Sequence, residues 1–285
     1  FMTPFKSLFV FLCLLILPAI TFSGEQSTLR LVSYNTWGLP TPFLICPGRF
    51  EKISKEIGQF KADIVSFQET FTKHANVLSK IAEFPYRLYG PPKGGKKLKI
   101  LHSGLLLLSK YPIVQSDYKI YSKCGGFDCF ANKGIMWAKI NVPGIGDINV
   151  FNTHTNAGSS NKIKTSQLVE AWDFIQAHLG GRSTVFMGDM NFAPGSELYN
   201  YVQYNMNFED SLDLYLNDHP EYSNDPNVLY TYIIKLIYKR RLDYFWLKDI
   251  GPRSMHPTNY KVIFNNINGT RLSDHFGIMM DLKFH

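Results

Sequence analysis

The chain has 285 residues, 45% of them hydrophobic and 19% charged, which excludes an intrinsically disordered or low-complexity protein and allows a full core in one large domain or two small ones. A net charge of +7 favours polyanions or anionic membrane surfaces, although a solvated basic face with no partner gives the same surplus. The four cysteines lack the His or second Cys pair that a zinc site needs.

Residues 2–23, MTPFKSLFVFLCLLILPAITFS, carry one Lys, no acid and an unbroken apolar run from Leu8 to Leu17, closed by Pro18. This is the build of a secretory signal peptide, assigned to residues 1–23, with cleavage expected after Ser23 or Gly24. The stretch Leu8–Phe22 is shorter than the ~20 residues of a membrane anchor, so secretion is favoured over anchoring. The exported chain, 24–285, loses Cys13. In an oxidising compartment Cys124 and Cys129, in CGGFDC, are close enough to close a small disulfide loop, leaving Cys46 free.

From residue 28 strands and helices alternate. TLRLVSYNTW reads as a strand with a polar tip, RFEKISKEIGQF places Phe50, Ile53, Ile57 and Phe60 at helical spacing, and DIVSFQET is the next strand. A second helix precedes the basic, glycine-rich loop GPPKGGKKLK. Strands follow in SGLLLLSKYPI, KGIMWAKI and DINVFNTHT, then a helix with Leu168, Trp172, Ile175 and Leu179 as its buried stripe. TVFMGDMN, RLDYFWLKD and SDHFGIMMDLKF supply the last strands. The pattern predicts one α/β domain with strands sandwiched between helices in two packed sheets. An internal duplication is hinted at, with YNTW and QET repeated as GDMN and SDH.

The strand tips carry Asn35, Glu69, His154, the pair Asp189 and Asn191, Asp243, and the pair Asp274 and His275. Each alone is explained as a turn former. If the strands end on one side, three or four carboxylates, two amides and two imidazoles converge on a single rim. Crowded carboxylates repel unless a cation sits among them, and oxygen donors without cysteine point to Mg²⁺ or Mn²⁺. With imidazole beside such a cation, the constellation reads as metal-assisted hydrolysis of a phosphate ester by water. Gly188 is expected to let the backbone approach substrate, and residues 189 and 191, two apart, to share a strand face.

In this order YNTWG, SFQET, NTHT, GDMN, RLDY and SDH resemble the motifs of the endonuclease/exonuclease/phosphatase superfamily, over residues 30–282. Its members include DNase I, abasic-site endonucleases, inositol-polyphosphate 5-phosphatases and neutral sphingomyelinases. The resemblance implies a DNase I-like four-layer α/β sandwich, two packed mixed β-sheets flanked by helices. It implies Glu69 as metal ligand with Asn35 beside it, and Asp274 supporting the metal through water. By the same resemblance Asp189 orients the attacking water and Asn191 holds a phosphate oxygen. His275 is implied as general base or electrostatic partner, steered by Asp243, while His154 contacts the phosphate from the opposite side.

SGLLLLSKYPI, ANKGIMWAKI and SQLVEAWDFI are most similar to neutral sphingomyelinases, which makes Asn132 and Lys133, at a strand mouth, candidate substrate contacts. The function so implied is a secreted, Mg²⁺-dependent phosphodiesterase that cleaves sphingomyelin or a related phospholipid to ceramide and phosphocholine at a membrane surface, as a monomer. The alternative is a secreted DNase I-like endonuclease. The basic loop Lys93–Lys99 serves either, meeting lipid phosphates or a nucleic-acid backbone. A 5-phosphatase suits an exported chain poorly, and a catalytically dead binding protein has little reason to retain all of these groups.

Secreted bacterial sphingomyelinases carry an exposed aromatic hairpin between the LDY and SDH motifs; here that interval has no paired tryptophans. YTYIIKLIYKRR, residues 230–241, either touches a bilayer instead or is an amphipathic strand pair packed on the core. Asn268, in NGT, fits a glycosylation acceptor in a eukaryotic secretory route.

Overall fold

The computed structural model describes residues 27–40, 48–94, 99–158, 160–234, 238–265 and 271–285. The expected signal peptide, Cys46, Lys96, Lys97 and Asn268 lie outside the described residues. Among those described, no helix is long and apolar enough to cross a membrane.

In chain order the elements are β1 (Thr28–Asn35), α1 (Gly48–Gln59), β2 (Ile64–Gln68), β3 (Tyr86–Tyr89), β4 (Leu106–Ser109), β5 (Ile113–Ile120), β6 (Gly134–Val142) and β7 (Gly146–His154). They continue as α2 (Asn161–His178), β8 (Thr184–Asp189), α3 (Glu197–Asn200), β9 (Glu209–Asp210), α4 (Ser211–Asp218), α5 (Pro226–Leu229), β10 (Tyr232–Ile234), β11 (Tyr238–Arg240), β12 (Asp243–Lys248), β13 (Met255–Ile263) and β14 (Gly277–Phe284). One six-stranded sheet runs β13-β14-β1-β2-β4-β3, the other β5-β6-β7-β8-β12-β9, and β10-β11 form a separate hairpin.

Strand periodicity builds the layers. Along β1, Leu29 and Leu31 enter the core between the sheets while Val32 and Tyr34 enter the core under α1. Along β8 and β12, Val185, Met187, Phe245 and Leu247 face the other sheet, and Phe186, Tyr244 and Trp246 face α2 and α3. Central strands are therefore apolar on both faces, as buried strands must be. Two sheets with helices outside give the expected four-layer sandwich.

Several local expectations change. The second helix is a 3₁₀ segment, Lys73–Lys80, to which Thr72 gives no capping bond. SGLLLLSKYPI divides between β4 and β5, which lie in different sheets. The Ser109 hydroxyl donates to the Tyr111 carbonyl and accepts from its N–H at the bend before Pro112, both at 2.9 Å. In α2 the fully buried apolar side is Leu168, Ala171 and Ile175, while Trp172 and, just past the helix end, Leu179 are only partly covered. The duplicated unit is β1-α1-β2 against β7-α2-β8, each a parallel pair with a helical crossover. GDMN thus matches QET rather than YNTW, and SDH opens the strand that runs antiparallel to β1.

Candidate active site

The inter-sheet stripe becomes polar at one end. The face of β1 that carries Leu29 and Leu31 continues through Ser33 to Asn35, and that of β7 runs from Ile148 and Val150 through Asn152 to His154. Asp189 follows Val185 and Met187 in the same way, and Asp243 precedes Phe245. Register does the rest. His154 pairs with Asp189 across the parallel β7-β8 pair, and Asp189 with Asp243 across the antiparallel β8-β12 pair. Three of these tips are strand ends, but Asp243 is a strand start and His275 precedes β14, so antiparallel neighbours bring them to the same rim. Beneath it, Gln68 Nε2 donates to Asn152 Oδ1 across the sheets at 2.9 Å.

The backbone bends sharply here. Glu69 (φ 58°) and Asn191 (φ 52°) occupy the left-handed region, where a residue with a Cβ is strained, and such strain gathers at functional sites. β8 stops at Asp189, so Asn191 does not share its strand face. The Asn191 N–H turns back to Asp189 Oδ1 at 3.0 Å, and its side chain donates to the Thr155 carbonyl at 3.2 Å. Gly188 (φ 135°) is required by the neighbouring strand rather than by substrate, because a Cβ there would lie 2.0 Å from the Thr153 carbonyl oxygen.

A cleft of about 590 Å³ opens at this rim, lined at its acidic end by Glu69, His154, Asp189, Asp274 and His275. Burial pushes the Glu69 carboxyl up to about 7, helped by the charge of Asp274. Burial also raises Asp189, to about 6, against the pull of His275, and raises Asp274. His275 loses solvation too, but Asp243 and Asp189 outweigh that loss and hold the ring up to about 10. His154 goes the other way: burial, then Lys133 and His275, keep it well below the ordinary imidazole value.

The donor set fits a divalent cation. Glu69, His154 and Asp189 each offer a ligand atom, as do Asp189, Asp243 and His275, all within 4.8 Å of one another in each group. Among the described residues, Glu69 Oε2, Asp243 Oδ1 and His154 Nδ1 are buried without a hydrogen-bond partner. Two of these are carboxylate oxygens, hard donors suited to a small divalent ion.

The structure places four expected residues as follows. Asn35 Oδ1 accepts from the Trp37 N–H at 2.9 Å, which occupies one of its two lone pairs. Its Nδ2 ties Glu69 Oε1 to Asp189 Oδ2, at 3.1 and 2.9 Å. Asn132, 2% exposed, is turned away from the cleft and donates to the Pro92 and Gly94 carbonyls, at 2.6 and 2.8 Å. Lys133, also buried, has Nζ 2.9 Å from His154 Nε2 and 3.0 Å from Asp128 Oδ2. His154 shares the acidic end with Glu69 and Asp189, at 3.8 and 3.4 Å, rather than facing them from an opposite wall.

Other residues were not evident from motifs. Lys164 Nζ donates to the Asn191 carbonyl at 2.7 Å and so holds the turn after Asp189. Its signal is a cation in phase with Leu168, Ala171 and Ile175. Tyr232 and Arg240, from the hairpin in segment 230–241, line the cleft, and Tyr232 forms a bridge with His275. Arg49 is bound to the carbonyls of Thr36, Trp37 and Leu272, clamping the loops on either side of the site.

The chain is 29% identical over 214 residues to a Staphylococcus aureus protein named phospholipase C, covering 66% of this chain and 64% of that one. It is 28% identical over 182 residues to a Mycobacterium bovis sphingomyelinase, covering 61% and 35%. It thus spans about a third to two thirds of the length of these relatives. A crystal structure of D. rerio TDP2 with single-strand DNA product superposes with a TM-score of 0.70 at 16% identity, over 90% of this chain and 99% of that one, a likeness of fold. Residues 32–275, from β1 to His275, match the Endonuclease/Exonuclease/phosphatase family, and the chain belongs to that family.

Proposed function

We propose that the chain is an exported, monomeric phosphodiesterase that hydrolyses sphingomyelin or a closely related phospholipid to ceramide and phosphocholine by attack of water on phosphorus. The observation that carries this reading is the convergence of Glu69, Asp189, Asp274 and the Asp243–His275 pair on one cleft. The names of its relatives favour a lipid over a nucleic acid, where the fold alone is neutral.

Glu69, with Asn35 beside it and Asp274 nearby, would hold Mg²⁺, or Mn²⁺ in its place, which would supply Lewis-acid polarisation of the phosphate when bound. Asp189, a carboxylate above pH about 6, orients the attacking water and takes its proton. Asp243 and Asp189 hold the His275 ring above its ordinary value, which favours the imidazolium, an electrostatic partner, over the neutral base. Asp243 fixes that ring through Nδ1 at 2.8 Å. Asn191, beside Asp189, offers an amide to a phosphate oxygen, and neutral His154 borders the same space. The new bond joins water oxygen to phosphorus, the bond from phosphorus to the ceramide oxygen breaks, and the leaving oxygen gains a proton from solvent.

Purified protein given Mg²⁺ with sphingomyelin vesicles and, in parallel, plasmid DNA tests this. Phosphocholine release that EDTA abolishes, without DNA nicking, is expected. Nicking that collapses with added salt, and no phosphocholine, would make it the DNase I-like endonuclease instead.

A further inference from the structure

The Cys124–Cys129 disulfide closes a loop whose far side is apolar. Phe127 is 78% exposed and Phe130 44%, with ring centroids 6.4 Å apart. Ile100, 60% exposed, lies one residue from Leu101, whose N–H donates to the Phe130 carbonyl at 3.0 Å. Large apolar side chains clustered in water mark an interaction surface. Here the short covalent loop limits how far the tip can fold back to cover them.

The patch is edged with cations. Lys123 and Lys93 are exposed on the flanking segments. Lys99 reaches the Ala131 carbonyl at 2.8 Å, and the two Asn132 hydrogen bonds fasten the Lys93 segment against the same loop. Exposed apolar groups with lysines on the adjoining segments match the two layers of a membrane surface, acyl chains below and anionic phosphates above.

The same loop is coupled to the cleft. The Gly125 N–H donates to Asn156 Oδ1 at 2.8 Å, and Asp128 Oδ2 accepts from the Ala157 N–H at 2.5 Å; Ala157 and Gly158 line the cleft. A surface held by this loop therefore lies beside the cleft mouth.

We propose that the disulfide loop Cys124–Phe130 is the docking element for an anionic phospholipid bilayer. Phe127, Phe130 and Ile100 enter the acyl region, and Lys93 and Lys123 meet the phosphates. This rests on the reading that the substrate is a membrane phospholipid, and it assigns docking to a different segment from hairpin 230–241.

The test is sedimentation of the full chain with vesicles of sphingomyelin and an anionic phospholipid, alongside hydrolysis of the same vesicles and of detergent-dispersed sphingomyelin. Phe127→Ser and the Phe127→Ser/Phe130→Ser double variant are compared with the parent; the first changes a side chain largely in water. Expected are vesicle binding and vesicle hydrolysis lower by about tenfold or more in the double variant, with detergent-dispersed activity unchanged. Vesicle binding equal to the parent in both variants overturns the proposal, as does a parent that does not sediment. Equal loss on vesicles and in detergent overturns it too. Sedimentation needs no turnover, so loop-dependent binding without phosphocholine release would overturn the substrate reading and leave the docking element standing.

Discussion

His275 Nδ1 lies 2.8 Å from Asp243 Oδ2, and the two side chains are 5% and 0% exposed. Asp243 opens β12 in one sheet and His275 precedes β14 in the other, so the pair ties the sheets together at the rim of the cleft. Asp243→Asn keeps the shape and removes the charge. Turnover should fall by about 10² to 10⁴-fold with the fold intact, the scale on which such groups act. The ring's titration, followed by NMR, should drop from about 10. An unchanged ring value would show that Asp243 does not set it.

Glu69 is raised to about 7 by burial and then by Asp274, so protons compete with a cation for it near neutrality. The sign follows: as pH falls below that value the carboxylate is lost, and the metal concentration for half-maximal activity should rise, approaching tenfold per pH unit for one competing proton. Glu69→Gln should weaken metal binding at every pH and flatten that dependence. Full activity in EDTA would contradict a metal role altogether.

Arg30 holds Asp281 through Nε and Nη2 at 2.6 and 2.8 Å, linking β1 to β14. Burial pushes the Asp281 carboxyl up, but hydrogen bonds from Arg30 and Asn259 outweigh it and hold it below its ordinary value. The stabilisation is thus complete above the ordinary carboxylate range and disappears as pH falls through the lower native value. Asp281→Asn should cost on the order of 1 kcal/mol or less at neutral pH, the side chains being partly solvated. Urea denaturation should show the difference from the parent shrinking below about pH 4.

Gly188→Ala would drive a Cβ to 2.0 Å from the Thr153 carbonyl, on backbone that cannot move without disturbing the β7-β8 pairing. A loss of about 1–3 kcal/mol is expected in thermal unfolding. Because the distortion sits next to Asp189, turnover should fall as well; parental melting would remove the steric argument.

The legible parts of this protein were those written as periodicity. Leu29 and Leu31 against Val32 and Tyr34 announce a strand covered on both faces, and polar residues at the same parity announce where the core opens. Side-chain roles were less legible, because they depend on which neighbour is reached first. Asn132 looks like a cleft residue until the Pro92 and Gly94 carbonyls take its amide. Lys164 was hidden by its phase in an apolar stripe, and the break between β4 and β5 by a continuous apolar run. No local rule says that one strand will enter a different sheet from the last.

The most direct test of the central claim is hydrolysis of sphingomyelin in water carrying a heavy oxygen isotope, with mass analysis of both products. Attack on phosphorus at the Asp189–His275 cleft predicts one labelled oxygen in phosphocholine and none in ceramide. Label in the ceramide hydroxyl, from cleavage on the carbon side of the ester, or release of phosphocholine without label, would contradict it.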